Sequence, residues 1–165
     1  MMNILVLCTG NSARSLIAEG LLRSLGSGKL QAFSAGSKPT GQPNPGAIAV
    51  LQAHDIDTDF ARSKSWDEFA KKDSPSIDVI ITVCGNAKDE TCPIWPGHPC
   101  TAHWGVEDPA DITAPPVAVR AAFTKTYDQM HRRIMAFLAL PSADEIGAGP
   151  WLEQVRAIGQ MDEMD

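Results

Sequence analysis

The sequence predicts an α/β protein built as a single doubly wound domain, a four-stranded parallel sheet with helices on both faces. Three observations predict it. Short runs with no polar face, Ile4 to Leu7 foremost, read as strands buried on both sides. Between them lie segments of helical period with capping and breaking residues at their ends. Strands alternating with helices require crossover connections and hence a parallel sheet. At 165 residues one domain is expected, with enough chain to bury a core unaided.

The elements follow in order. Asn3 to Leu7 is the first strand. Arg14 to Leu25 is a helix whose stripe is Ile17, Ala18, Leu21 and Leu25, ended by Gly26 and Gly28. Leu30 to Ser34 is a second strand, and Gly36 to Gly46 is a Gly-, Pro- and Asn-rich loop. Pro45 opens a helix to His54. After a polar, irregular stretch from Asp55 to Lys64, Ser65 caps a short helix from Trp66 to Lys71, with Glu68 in capping-box spacing. Ile77 to Val83 is a third strand. Residues 84–100, with Gly85, Pro93, Pro96, Gly97 and Pro99, hold no regular element for long. His103 to Val106 is the expected fourth strand. Pro115-Pro116 opens a long helix to about Leu140, with Val119, Phe123, Met130, Ile134 and Phe137 inward, and Pro141 stops it. The domain thus spans 1–140. Residues 141–165 form an acidic tail with one peripheral helix around Trp151 to Ile158.

Composition narrows the function. Fourteen basic residues against 20 acidic ones, net charge −6, with no Lys/Arg patch, argue against a nucleic-acid binder. The apolar run after Met1-Met2-Asn3 is too short for a signal peptide or membrane span, so the expected location is the cytoplasm, with no membrane partner. Four cysteines there read as catalytic, redox or metal-binding.

The chemistry centres on Cys8-Thr9-Gly10-Asn11-Ser12-Ala13-Arg14-Ser15. A loop running from strand to helix turns successive N–H groups into one concavity, and the helix N-terminus adds partial positive charge. Thr9 to Ser15 would cradle a tetrahedral oxyanion there, with Arg14 gripping two oxygens and Cys8 beneath as nucleophile. The same charges favour the thiolate, with Ser12 and Ser15 able to donate to it and Asn11 able to brace the loop. The plain alternative for Cys8 is a small buried side chain at a strand end. Cys84, ending the third strand at the same edge of the sheet, and Cys92, in the Gly- and Pro-containing loop beyond it, add two thiols near the oxyanion site. That suggests a relay by thiol–disulfide exchange.

CTGNSARS resembles the C-x5-R-S loop of the low-molecular-weight protein tyrosine phosphatase superfamily. Leu16-Ile17-Ala18-Glu19-Gly20, Ser34-Ala35-Gly36 and Glu107-Asp108-Pro109-Ala110 match further features over roughly residues 2–140. The resemblance implies strand order 2-1-3-4. Thr82-Val83-Cys84, Cys92-Pro93-Ile94-Trp95-Pro96 and His103-Trp104-Gly105-Val106-Glu107-Asp108-Pro109 are similar to the arsenate reductase branch. That likeness implies arsenate as substrate, Cys8 as nucleophile, Arg14 as clamp, Asp108 as general acid and Cys84 and Cys92 as the relay. It further implies thioredoxin as reductant, with glutaredoxin and glutathione as the alternative, and no cofactor beyond a potassium ion at Asn11, Glu19, Ser34 and Asp67. Without that role Asp108 would be a turn cap.

Two departures stand out. Many relatives carry a second cysteine where this chain has Ala13, and Cys100 falls outside the pattern and reads as a passive thiol. The competing functions are a phosphomonoesterase of the same superfamily, disfavoured by the non-aromatic Ala110 and Asp111, and a zinc module. The latter would use Cys84, Cys92, Cys100, His98 and His103, whose spacing lacks a C-x2-C pair.

Overall fold

The computed structural model describes residues 1–84 and 101–161. Four strands, β1 (Met2–Cys8), β2 (Leu30–Gly36), β3 (Val79–Thr82) and β4 (Ala102–His103), form one sheet in the order β2-β1-β3-β4. Every neighbouring pair is parallel. Among the described residues five α-helices accompany them: α1 (Arg14–Leu25), α2 (Pro45–Ala53), α3 (Pro116–Leu138), α4 (Ala143–Ile146) and α5 (Ala148–Ile158).

β1 is central because nothing polar interrupts it. Ile4, Val6 and Cys8 point to one face and Leu5 and Leu7 to the other. The two faces are covered unequally. Residues of α1, α2, α3 and α5 join Ile4 and Val6 in one large cluster. On the other face Leu5, Leu7, Ala35 and Ile80 are packed by Phe33, Trp66, Phe69 and Ile77. Trp66 and Phe69 belong to a 3-10 turn, Trp66–Phe69, at the position expected for a short helix. Its cap, Ser65, accepts from Asp67 N, and Glu68 turns away to Arg62 instead of closing a capping box.

Gly20 sits inside α1, where glycine costs roughly 1 kcal/mol. A Cβ there would lie 2.9 Å from Leu51 Cδ2 and 3.2 Å from Phe60 Cζ, so its absence lets α2 close on α1.

The fourth strand ends earlier than expected. It covers Ala102–His103, not His103 to Val106. Trp104 N donates to Thr82 O at 2.7 Å, but Val106 N donates to Val83 O at 3.3 Å. A regular parallel ladder advances two residues on both strands, so the chain has slipped by one and left the sheet. The cause is visible in the side chains. Trp104 turns into the core and its Nε1 donates to Val155 O of α5 at 2.9 Å. Gly105 lies so close beneath Cys84 that a Cβ would meet its carbonyl oxygen at 2.8 Å. Val155 and Ile158 are buried in the main cluster, which ties α5 to the domain.

Candidate active site

Cys8 closes β1 and α1 begins at Arg14, so the five residues between them make the loop. The segment after β2 sets the loop's conformation. Ser37 N, Lys38 N, Thr40 N and Asn44 N donate to the carbonyls of Cys8, Thr9, Gly10 and Ser12 at 3.4, 2.9, 3.0 and 2.8 Å. A trans peptide carries its C=O and the following N–H on opposite sides. With four carbonyls tied outward, the N–H groups of Thr9, Gly10, Asn11 and Ala13 turn inward. Asn11 N makes this explicit by donating to Cys8 Sγ at 3.2 Å. β2 presses on the loop so closely that a Cβ at Gly36 would fall 2.5 Å from Thr9 O.

Asn11 holds the turn. Its φ of 47° lies in the left-handed region, which Asn tolerates better than most residues. Its amide is fully used. Nδ2 donates to Ser15 Oγ at 2.8 Å and to Ser34 Oγ at 2.9 Å, while Oδ1 accepts from Lys64 N at 2.9 Å. Ser15 Oγ in turn lies 3.0 Å from Cys8 Sγ. Cys8 is a free thiol, 2 % exposed, with a hydroxyl and a backbone N–H directed at its sulfur. No side chain caps the N-terminus of α1 and no acid lies in its first turn, so the helix presents uncompensated positive charge to the same concavity.

Arg14 and Asp108 form the rim. Arg14, buried, donates from Nη1 to Val106 O at 3.3 Å, and its Nη2 lies 3.5 Å from Asp108 Oδ2. Asp108 divides its oxygens. Oδ1 accepts from Ala110 N at 3.0 Å and caps the Pro109–Asp111 turn, while Oδ2 faces the guanidinium. The cap and the acid are therefore compatible roles of one side chain.

A residue that sequence reasoning missed sets this rim. Arg133, buried on α3, donates from Nη1 to the carbonyls of Trp104 and Gly105 at 2.8 and 3.2 Å, fixing the strand-to-acid-loop segment. The signal for it is its place on the apolar stripe, three residues after Met130 and four before Phe137.

Cys84 lies just beyond β3. Val83 N donates to Leu7 O at 3.0 Å, so Cys84 comes one residue beyond the level of Cys8 on the neighbouring strand. It is fully buried and disulfide-bonded. Cys92, Cys100 and His98 lie outside the described residues, so relay and zinc set are each only partly in view. For the zinc set, the Cys84 sulfur is engaged in its disulfide and the His103 ring binds Thr82 Oγ1 through Nδ1 at 2.7 Å. Among the described residues no three potential ligands converge.

The residues expected around potassium do not fit an ion. Asn11, Glu19 and Ser34 converge and are buried, but Asp67 is exposed. Every oxygen in the cluster is already engaged. Ser34 Oγ donates to Glu19 Oε1 and accepts from Asn11 Nδ2, Asn11 Oδ1 takes Lys64 N, and Glu19 Oε2 takes Arg23 Nε at 2.8 Å. The Lys64 ammonium sits among them, 3.8 Å from Glu19 Oε1 and 3.4 Å from Ser34 Oγ. Burial pushes the Glu19 carboxyl up, opposed by Lys64, Ser34 and Arg23; burial pushes the Lys64 ammonium down, opposed by Glu19. Glu19 accepts at both oxygens and Lys64 also donates to Arg62 O at 3.0 Å, an arrangement that suits the charged pair.

Fold and loop together define a parallel α/β protein with an oxyanion cradle and a cysteine at the carboxyl edge of its central strand, the region where such sheets bind ligands. The chain belongs to the low molecular weight phosphotyrosine protein phosphatase family, whose model matches residues 3–146. Its relatives there include arsenate reductases. It is 36% identical over 134 residues to the arsenate reductase of Oceanobacillus iheyensis, covering 81% of this chain and 93% of that protein. An arsenate reductase solved in an oxidized state shares 27% identity at a TM-score of 0.57, over 79% of this chain and 94% of that one. The arsenate reductase of Archaeoglobus fulgidus shares the fold at a TM-score of 0.62 and 22% identity, over 80% and 98% of the two chains.

Proposed function

We propose that this protein reduces arsenate to arsenite through a cysteine relay, with thioredoxin or a related dithiol as the external reductant. The observation that carries the proposal is the placement of two cysteines at one edge of the sheet. Cys8 is a free thiol under an N–H cradle, and Cys84, one residue beyond its level on the neighbouring strand, is disulfide-bonded.

Arsenate enters the cradle as an oxyanion, held by inward N–H groups and the Arg14 fork. Cys8 Sγ attacks arsenic and forms an S–As bond. An oxygen of arsenate leaves as water, with a proton from Asp108 Oδ2, the oxygen that faces Arg14 and the cradle while Oδ1 serves the cap. Cys84 as thiolate then attacks Cys8 Sγ. The S–S bond forms, the S–As bond breaks, and its electron pair stays on arsenic, which departs as arsenite. Two thiols have lost two electrons and As(V) has gained two. Cys92 attacks Cys84, returns Cys8 to the free thiolate, and leaves a Cys84–Cys92 disulfide. An external dithiol reduces that bond with two further electrons. The family's phosphatase chemistry would need only the first attack and then water, and would leave Cys84 without a role.

The experiment is steady-state arsenate turnover coupled to thioredoxin and its reductase, followed by NADPH oxidation and compared with glutaredoxin plus glutathione. The proposal expects turnover that requires arsenate and thioredoxin together, with phosphate and sulfate competing. Hydrolysis of aryl phosphate without arsenate-dependent NADPH oxidation would favour the phosphatase.

A further inference from the structure

We infer that the ε-ammonium of Lys64 is a resident cation of this protein, standing where its oxygen cluster would otherwise need a bound monovalent ion, and that it positions the Cys8 loop through Asn11. The inference rests on the reading of that loop as an oxyanion site.

The cluster is a chain of contacts running from the ammonium to the thiol. Lys64 Nζ donates to Ser34 Oγ at 3.4 Å and lies 3.8 Å from Glu19 Oε1. Ser34 Oγ receives Asn11 Nδ2 at 2.9 Å, the same amide nitrogen donates to Ser15 Oγ at 2.8 Å, and Ser15 Oγ lies 3.0 Å from Cys8 Sγ. Glu19, only 1 % exposed, would be an uncompensated charge without cations. Arg23 serves its outer oxygen, Oε2, from a partly exposed position, and the inner oxygen faces Lys64. The lysine backbone is tied to the same place independently. Lys64 N donates to Asn11 Oδ1 at 2.9 Å, and Gly36 N donates to Lys64 O at 2.9 Å. The side chain is thus delivered to a fixed point by main-chain bonds that a substitution leaves intact.

A covalently delivered ammonium behaves differently from a bound ion. It has no dissociation constant, so the loop should hold its geometry at any potassium concentration. It also sets a positive charge among the oxygens an ion would use. Lys64 is therefore a positioning residue: it touches no substrate, and its effect reaches the anion through Asn11 and Ser15.

Two measurements test this, both independent of arsenate chemistry: the melting temperature and the affinity for inorganic phosphate by calorimetry. Each is taken in potassium, ammonium and tetramethylammonium chloride at one ionic strength. For the unaltered protein the expected melting temperatures agree within about 1 °C, whereas an ion at a hundred times its dissociation constant would raise the value by roughly 5 to 10 °C. Lys64→Ala should weaken phosphate binding about tenfold. It should recover severalfold, with a higher melting temperature, in ammonium or potassium but not in tetramethylammonium, which is too large to enter. A potassium-dependent rise in the unaltered protein would overturn the inference, and that arm does not depend on the variant folding. So would a Lys64→Ala variant that binds phosphate as tightly as the parent or that ignores small cations.

Discussion

Cys8 closes β1 and Cys84 lies just past the end of the neighbouring parallel strand β3; both are buried, yet their surroundings differ completely. Cys8 meets a loop whose carbonyls are held outward by four hydrogen bonds and whose Asn11 N–H donates to its sulfur. Cys84 meets Gly105 at its carbonyl, the slipped end of β4, and a disulfide. Positions one residue apart in level on two adjacent strands thus give a free thiol under an N–H cradle in one case and a disulfide-bonded sulfur in the other. At Cys8 the segment leaving the strand makes the site: a loop that coils into a helix supplies donors and positive charge.

Substitutions should separate the two ends. Cys8→Ser should lower arsenate turnover by more than about a thousandfold, because no other thiol among the described residues lies in the cradle. A stopped-flow search for the first covalent step should find none. Asp108→Asn keeps the turn cap, since Asn caps as well as Asp, but removes the proton; turnover should fall roughly 10²- to 10³-fold with phosphate affinity preserved. Unchanged turnover would reduce Asp108 to its cap. At the other end, Gly105→Ala places a Cβ 2.8 Å from Cys84 O and 2.7 Å from His103 Nε2. It should cost about 1 to 3 kcal/mol in urea unfolding and slow the relay, while phosphate binding stays as it was.

The smallest effect lies on the surface. Arg62 and Glu68 pair at 2.9 Å with both side chains exposed, so Arg62→Ala should cost about 1 kcal/mol or less. The hydrogen bond from Arg62 holds the Glu68 carboxyl below its ordinary value of 4.5. A lowered carboxyl contributes stability that is present above pH 4.5 and lost as pH falls through the folded-state value. Arg62→Ala should remove that acid-side slope, which unfolding midpoints measured from about pH 5 down to about pH 3 would reveal.

Legibility depends on which physical signals are local. α1 spans Arg14–Leu25 as its periodicity indicates, because its buried stripe and terminal glycines are adjacent in sequence. Cys8, Arg14 and Asp108 stand out for the same reason: a loop of small residues between strand and helix, and an acid before proline, are short-range patterns. Lys64 does not stand out. It lies in a polar stretch that reads as solvated, and its burial depends on Glu19 and Ser34, 45 and 30 residues away. The expectation of potassium rests on a family resemblance at four oxygen-bearing residues, and those positions do not disclose a lysine folded in among them. The β4 slip is likewise tertiary, since Trp104 leaves the ladder to reach α5. The helix expected at the periphery, near Trp151 to Ile158, buries Val155 and Ile158 because they meet that tryptophan's cluster.

The central claim is that Cys8 takes the arsenic and Cys84 takes the oxidation away from it. Peptide mass mapping of a Cys92→Ser variant after one exposure to arsenate, without external reductant, tests it most directly. The account predicts one equivalent of arsenite per chain and a Cys8–Cys84 disulfide that persists. Continued turnover of this variant with thioredoxin, or a trapped disulfide joining Cys8 to Cys100, would contradict it.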